Sequence, residues 1–179
     1  MSNVEWFLDQ ARKGNLFRAA NQAAATVTLI DTSTATGFIL SNPWGSGKKL
    51  IVKSYQFAYT TVPTATAIVF IAQSIAVSAT AHATVTALGV YRADGSGVVT
   101  GAPAGRAYNA STTPNLPVYA KLLGYSPTTP ATTGVGVLEA DLSGGEVILV
   151  PGTYIQTSYI TTAPVGITSC VWAEVDENK

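Results

Sequence analysis

The sequence predicts an all-β chain, an antiparallel β-sandwich of the jelly-roll type with a short helical N-terminal arm. A small β-barrel is the alternative way to close the same strands. Three observations lead there. From residue 26 onward, runs rich in Thr, Val, Ile and Tyr recur at strand length, bounded by Gly, Pro, Asn and Asp. Between those runs no helical periodicity intervenes, so the strands must pair antiparallel through turns rather than through crossover helices. Only residues 1–25 carry a helical pattern, which sets a domain organisation of an arm over 1–25 and a sandwich over 26–179.

In the arm, Val4, Phe7, Leu8 and Ala11 recur at i, i+3, i+4 and i+7, while Glu5, Asp9, Arg12 and Lys13 take the other face. Ser2 or Asn3 suits the N-cap. Gly14-Asn15 offers a break, after which Leu16, Phe17, Arg18 and an Ala-rich stretch read as a second helical piece or the far side of a kink. So short a helix is marginal in water, and Val4, Trp6, Phe7, Leu8, Leu16 and Phe17 need a surface to dock on. That surface is either the chain's own sandwich or a neighbouring subunit. The second reading makes these six residues the partner-binding set, and it expects deletion of residues 1–25 to leave a folded body.

Strands are expected over residues 26–31, 37–41, 49–60, 66–74, 84–92, 117–125, 134–141, 146–150, 153–160 and 167–175. Asn42-Pro43, Gly45-Ser46-Gly47, Asp94-Gly95, Ser143-Gly144-Gly145 and Pro151-Gly152 supply the turns. Over 49–60, strict alternation puts Leu50 and Val52 on one face and Ile51, Tyr55, Phe57 and Tyr59 on the other. Apolar residues on both faces imply a strand covered on both sides. Between residues 94 and 117 the pattern lapses, and a long loop is expected, either presenting Arg106, Tyr108 and Asn109 as a contact tip or forming a poorly ordered excursion. The stretch 126–133 reads as an extended connector.

Composition excludes more than it suggests. Charged residues are 11% of the chain and hydrophobic ones 47%, against about 25% charged in an average soluble domain. An exterior so poor in charge suits burial against partners, and a homo-oligomer, dimer or trimer, is the expected state. Formal net charge is zero and the only basic cluster is Lys48, Lys49 and Lys53, so no nucleic-acid footprint is read. One cysteine excludes an intramolecular disulfide, and Cys170 reads as a small buried hydrophobe. One histidine, His82, argues against a His-based metal site; no cofactor is expected. Residues 1–20 lack the apolar core of a signal peptide and no window reaches a membrane span, so a cytosolic origin without membrane attachment is expected.

No motif carries catalysis. Asn42–Lys49 ends in Gly-Lys like a phosphate loop, but Asn42 and Lys49 stand where that pattern needs Gly and Ser or Thr. A strand follows it instead of a helix, so it reads as a hairpin turn. Glu139 and Asp141 share one strand face as solvent-facing charges. A hydrolase would need His82 beside a carboxylate and a nucleophile, and no nucleophile elbow is present, so the chain is read as a non-enzyme. A sugar-binding sandwich would reveal itself by Tyr and Trp exposed together in one concave site.

Two segments resemble a family. Gly-Phe-Ile-Leu-Ser-Asn-Pro-Trp-Gly-Ser-Gly-Lys-Lys-Leu over 37–50 is similar to the opening of small β-sandwich virion proteins of tailed bacteriophages. Ile-Leu-Val-Pro-Gly-Thr-Tyr over 148–154, with Val-Trp-Ala-Glu-Val over 171–175, is similar to their ending. The likeness spans about residues 37–57 and 146–176. It implies a capsid decoration or cement protein on the outside of a viral head, made in the host cytoplasm and bound to the major capsid protein or another virion protein. A receptor- or carbohydrate-binding module of a tail, collar or fibre is the alternative it leaves. It implies no catalytic residue, metal or cofactor.

Overall fold

The computed structural model describes residues 2–30, 32–61, 63–97, 103–126 and 136–177. A single helix, α1 (Asn3–Arg12), precedes the strands β1 (Leu16–Ala20), β2 (Ala25–Thr26), β3 (Thr28–Leu29), β4 (Thr34–Asn42), β5 (Lys48–Thr61), β6 (Ala67–Ser74) and β7 (Ala83–Leu88). There follow β8 (Tyr91–Arg92), β9 (Arg106–Thr112), β10 (Pro117–Ser126), β11 (Val137–Asp141), β12 (Ile148–Leu149), β13 (Thr153–Thr161) and β14 (Val165–Asp176). They form two sheets, one ordered β11-β5-β14-β1-β8 and the other β10-β6-β13-β4-β9-β7. The first four of each order, β11-β5-β14-β1 and β10-β6-β13-β4, have the connectivity of an eight-stranded jelly roll. The segment between β6 and β10 is an insertion that widens both sheets on the same side, adding β9 and β7 next to β4 and β8 next to β1. No described helix is long and apolar enough to cross a membrane.

The arm departs from its helical expectation. Of the two N-cap candidates it is Ser2 that caps α1, and it closes a capping box, with the Ser2 hydroxyl taking the Glu5 N–H and the Glu5 carboxylate taking the Ser2 N–H. Past Gly14, however, the second helical piece is a strand: Leu16–Ala20 pairs antiparallel with β14, Phe17 opposite Trp172 and Ala19 opposite Cys170. Pairing with a long partner strand overrides the helix preference of Leu, Arg and Ala. Phe17 and Ala19 enter the main core, whereas Leu16, one position out of phase, faces the outer side of the sheet. There it meets Phe7 and Ala173, with Ile51 and Trp6 at the margin. The arm therefore docks on its own sandwich.

That docking explains half of the two-faced reading of β5. Ile51 is covered on the outer face by α1, and the Lys53 ammonium lies 5.9 Å from the Phe7 ring centroid. The other half is a correction. Trp172 lies opposite Val52 but Val171 opposite Ser54, so Lys53 is a bulge residue that reverses the phase of the strand. Leu50 and Val52 before it, and Tyr55, Phe57 and Tyr59 after it, all point inward.

The core is closed by polar as well as apolar contacts. The Tyr55 hydroxyl is 2.7 Å from Thr157 Oγ1, which is 2.9 Å from Thr168 Oγ1, a buried chain running from one sheet to the other and back. Burial pushes the Tyr55 phenol and the Cys170 thiol up, and Cys170 sits in the core as expected. Where β10 approaches β11, Gly124 lies against the end of the Leu138 side chain, which a Cβ would meet at 2.9 Å.

The hairpin expected at 42–49 is instead a corner between the sheets, since β4 and β5 belong to different ones. Asn42, fully buried, holds it: its amide donates to the Lys48 and Leu149 carbonyls and its oxygen accepts from Ser46 Oγ. The loop expected over 94–117 contains strand β9, flanked by β4 and β7. The connector expected at 126–133 lies, beyond Ser126, outside the described residues.

Candidate functional site

Of the six arm residues, Phe7, Leu16 and Phe17 are buried against the chain's own sheet and have no area to give a neighbour. Trp6 is half-buried, packed edge-on against Phe7. Val4 and Leu8, at 74% and 49% exposure, form a short apolar stripe on the outer side of α1. The three loop residues are not a tip. Arg106 is exposed on β9 but folds back onto the carbonyls of Pro103, Ala104 and Gly105. Asn109 accepts from Asn21 Nδ2 at 2.6 Å and so helps tie β1 to the opposite sheet. Tyr108 lines a cavity.

That cavity, of about 200 Å³, opens where β4 turns into the corner, and is assembled from four distant segments. Trp44 supplies one wall and is 60% exposed. Its ring rests on Gly152, where a side chain would lie 2.9 Å from Trp44 Cε3 and 2.6 Å from the Ser78 carbonyl, so only glycine admits this approach. His82 and Tyr108, whose rings are in contact, also line it, as do Ser41 and Thr80. The His82 ring lies 5.4 Å from Tyr108 and 5.1 Å, edge to face, from Tyr154. Tyr154 is anchored by its hydroxyl, which donates to the Asn115 carbonyl.

The protonation of His82 follows from its partners. Ser111 Oγ donates to the Thr112 carbonyl, so at 2.7 Å it accepts from His82 Nδ1–H. Nε2 is left as a bare acceptor. Burial lowers the His82 pKa from 6.5 to about 4, so the ring is neutral at physiological pH. Burial also pushes the Tyr108 phenol up, opposed by the Arg106 charge. This pair is the reverse of a nucleophile and its base: the imidazole donates to the serine, Ser111 is 1% exposed, and no carboxylate lines the cavity among the described residues. Glu139 and Asp141 are exposed elsewhere, one accepting from Gln56 Nε2 and the other capping the Ser143 N–H. No group of three or more potential metal ligands occurs among the described residues.

A depressed histidine pKa makes stability depend on pH. Above about pH 6.5 the imidazole is neutral in folded and unfolded chains alike; below it the unfolded chain takes up a proton that the folded one refuses. Stability should therefore fall as pH drops from 6.5 towards about 4. Urea midpoints of the wild type should decline between pH 6.5 and about 5, before most carboxylates titrate, and His82→Phe should flatten that decline. Equal slopes would refute the burial of a neutral His82.

A second surface lies on β10, a sheet-edge strand. Tyr119, Leu122 and Tyr125 stand opposite Ala72, Phe70 and Ile68, and therefore share one face of the sheet. Their spacing of three arises from two bulges, at 119/121 and 122/124. Each is more than half exposed, which makes an aromatic-rich row on the outside of the sandwich. Strict period-two reading of the sequence hides this row. Trp44 was readable only as part of a turn. No protein-family model and no curated protein sequence matches this chain.

Proposed function

We propose that the chain is a structural protein of a tailed-bacteriophage virion, a decoration or cement subunit that binds the major capsid protein or another shell protein without performing chemistry. The observation that carries this reading is the row Tyr119, Leu122 and Tyr125 on the outer face of one sheet. The Val4–Leu8 stripe lies on the outside of the other sheet, over α1. Apolar patches on opposite faces let one subunit touch two neighbours at once, and repetition over a lattice multiplies weak contacts. The charge-poor surface and the family resemblance of residues 37–57 and 146–176 agree with that role.

Purified virions from a lysate of cells carrying the gene should contain the chain, visible by immunogold labelling of the shell. A Leu122→Asp, Tyr125→Asp variant should fold with unchanged thermal midpoint, since both side chains are exposed, yet drop out of the particles. Particles lacking the wild-type chain, or retaining the variant at full occupancy, would sink the proposal. Sedimentation of the free protein reads whether it associates as the dimer or trimer expected. A second reading, a carbohydrate- or receptor-binding module of a tail, collar or fibre, draws support from the cavity at Trp44.

A further inference from the structure

We infer that the cavity between Trp44 and the His82–Tyr108 wall is a binding site for the ring of an uncharged sugar. This deepens the second reading above and does not depend on the first. Four features narrow the ligand. At about 200 Å³ the cavity is smaller than the roughly 300–1,000 Å³ of sites for drug-sized ligands, leaving room for one monosaccharide-sized ring. No Asp, Glu, Lys or Arg lines it and His82 is neutral, so it offers nothing to a charged group. Two polar groups of its lining residues are unspent: His82 Nε2 is an acceptor, and the Tyr108 hydroxyl can donate or accept, neither having a hydrogen-bond partner among the described residues. An apolar plane with a few fixed hydrogen-bonding groups is the complement of a pyranose, whose axial C–H groups present an apolar face and whose hydroxyls both donate and accept.

Trp44 is pre-positioned for this. An exposed tryptophan in a free turn would lose rotamer entropy on binding, but this ring already rests on Gly152, and that contact is permitted by the glycine's missing side chain and its φ of 84°. Two independent hydrogen bonds stiffen the lining: the Ser78 N–H to the Gly152 carbonyl beneath Trp44, and Nδ1 of His82 to Ser111. A single ring in so small a site binds weakly. Copies arrayed on a particle would make the weak site effective.

The test is titration of the isotope-labelled full chain with glucose, galactose, mannose and N-acetylglucosamine at tens of millimolar, read by the backbone amide resonance of Gly152, which lines the cavity under the Trp44 ring and is present in every variant. At least one sugar should shift that resonance saturably. Trp44→Ala should weaken it by about tenfold or more without lowering the thermal midpoint, because Trp44 is mostly exposed. His82→Phe, which keeps the ring and deletes Nε2, should weaken it too. No saturable shift with any of the four sugars would overturn the inference, as would binding of a proline-rich peptide in the cavity in their place. Sugar binding by a chain absent from the particle shell would uphold this site while removing the decoration role. Shell incorporation without sugar binding would do the reverse.

Discussion

Replacing Trp172 with alanine should cost about 3–5 kcal/mol of folding stability, the range for emptying a fully buried aromatic site. For a domain of this size that lowers the thermal midpoint by roughly 6–20 °C. Trp172 is inaccessible to solvent and its ring lies 6.2 Å from Phe17, at the junction of β14 and β1. The side chain also has a polar duty: its Nε1–H donates at 3.1 Å to Oε1 of Glu174. Glu174, only 4% exposed, further accepts from the backbone N–H groups of Ala104 and Gly105, which pins the segment entering β9 onto the opposite sheet. The alanine variant therefore both opens a cavity and removes one of three donors from a buried carboxylate. Trp172→Phe separates the two effects, keeping most of the volume and losing only the donor, at about 1–3 kcal/mol. Chemical denaturation of both variants decides it; a loss of under about 1 kcal/mol for the alanine variant would contradict the packing described.

What could be read in the sequence depended on whether a strand is defined locally. β5, β6, β13 and β14 are long, rich in Val, Ile, Thr and Tyr, and flanked by Gly or Pro turns, so each was legible within a residue or two. β1 was not. Its five residues, Leu-Phe-Arg-Ala-Ala, contain helix formers, and their period of two becomes visible only once β14 supplies Trp172 and Cys170 opposite Phe17 and Ala19. β9 failed for a related reason: Ala107, Asn109, Ala110 and Ser111 have small or polar side chains with no β-branching, and its place is set by β4 and β7 on either side. A bulge at Lys53 defeated the alternation argument over 49–60, because one extra residue swaps the faces of everything beyond it, and the two bulges of β10 hide its exposed row from period-two reading in the same way. The cavity was illegible for a further reason. Trp44 and Gly152 meet because β4 pairs with β13, and the insertion between β6 and β10, far from both in the chain, adds His82 and Tyr108.

Two truncations should part sharply in outcome. Deleting residues 1–13 removes α1, and with it the burial of Phe7, worth about 1.5–3 kcal/mol, while uncovering Leu16, Ile51 and Ala173 on the outside of the sheet. The remaining chain keeps every strand and should unfold cooperatively at a lower denaturant midpoint. Deleting residues 1–25, expected from the sequence to leave a folded body, should instead unfold it. That cut takes Phe17 and Ala19 out of the main core and strips β14 of the partner paired along Leu16–Ala20. It also removes Asn21, which joins both sheets by donating to the Gly37 carbonyl and Asn109 Oδ1 and by accepting from the Thr168 N–H. Two core side chains and a buried hydrogen-bond junction together exceed what a domain of about 5–15 kcal/mol total stability can lose. Circular dichroism and amide-proton dispersion distinguish the cases, and a dispersed spectrum from the 26–179 fragment would show that β1 is dispensable. The shorter truncation is also the cleaner probe of assembly. It deletes the Val4–Leu8 stripe and leaves Tyr119, Leu122 and Tyr125 in place, so a particle-binding defect in that variant would assign the contact to the helix rather than to β10.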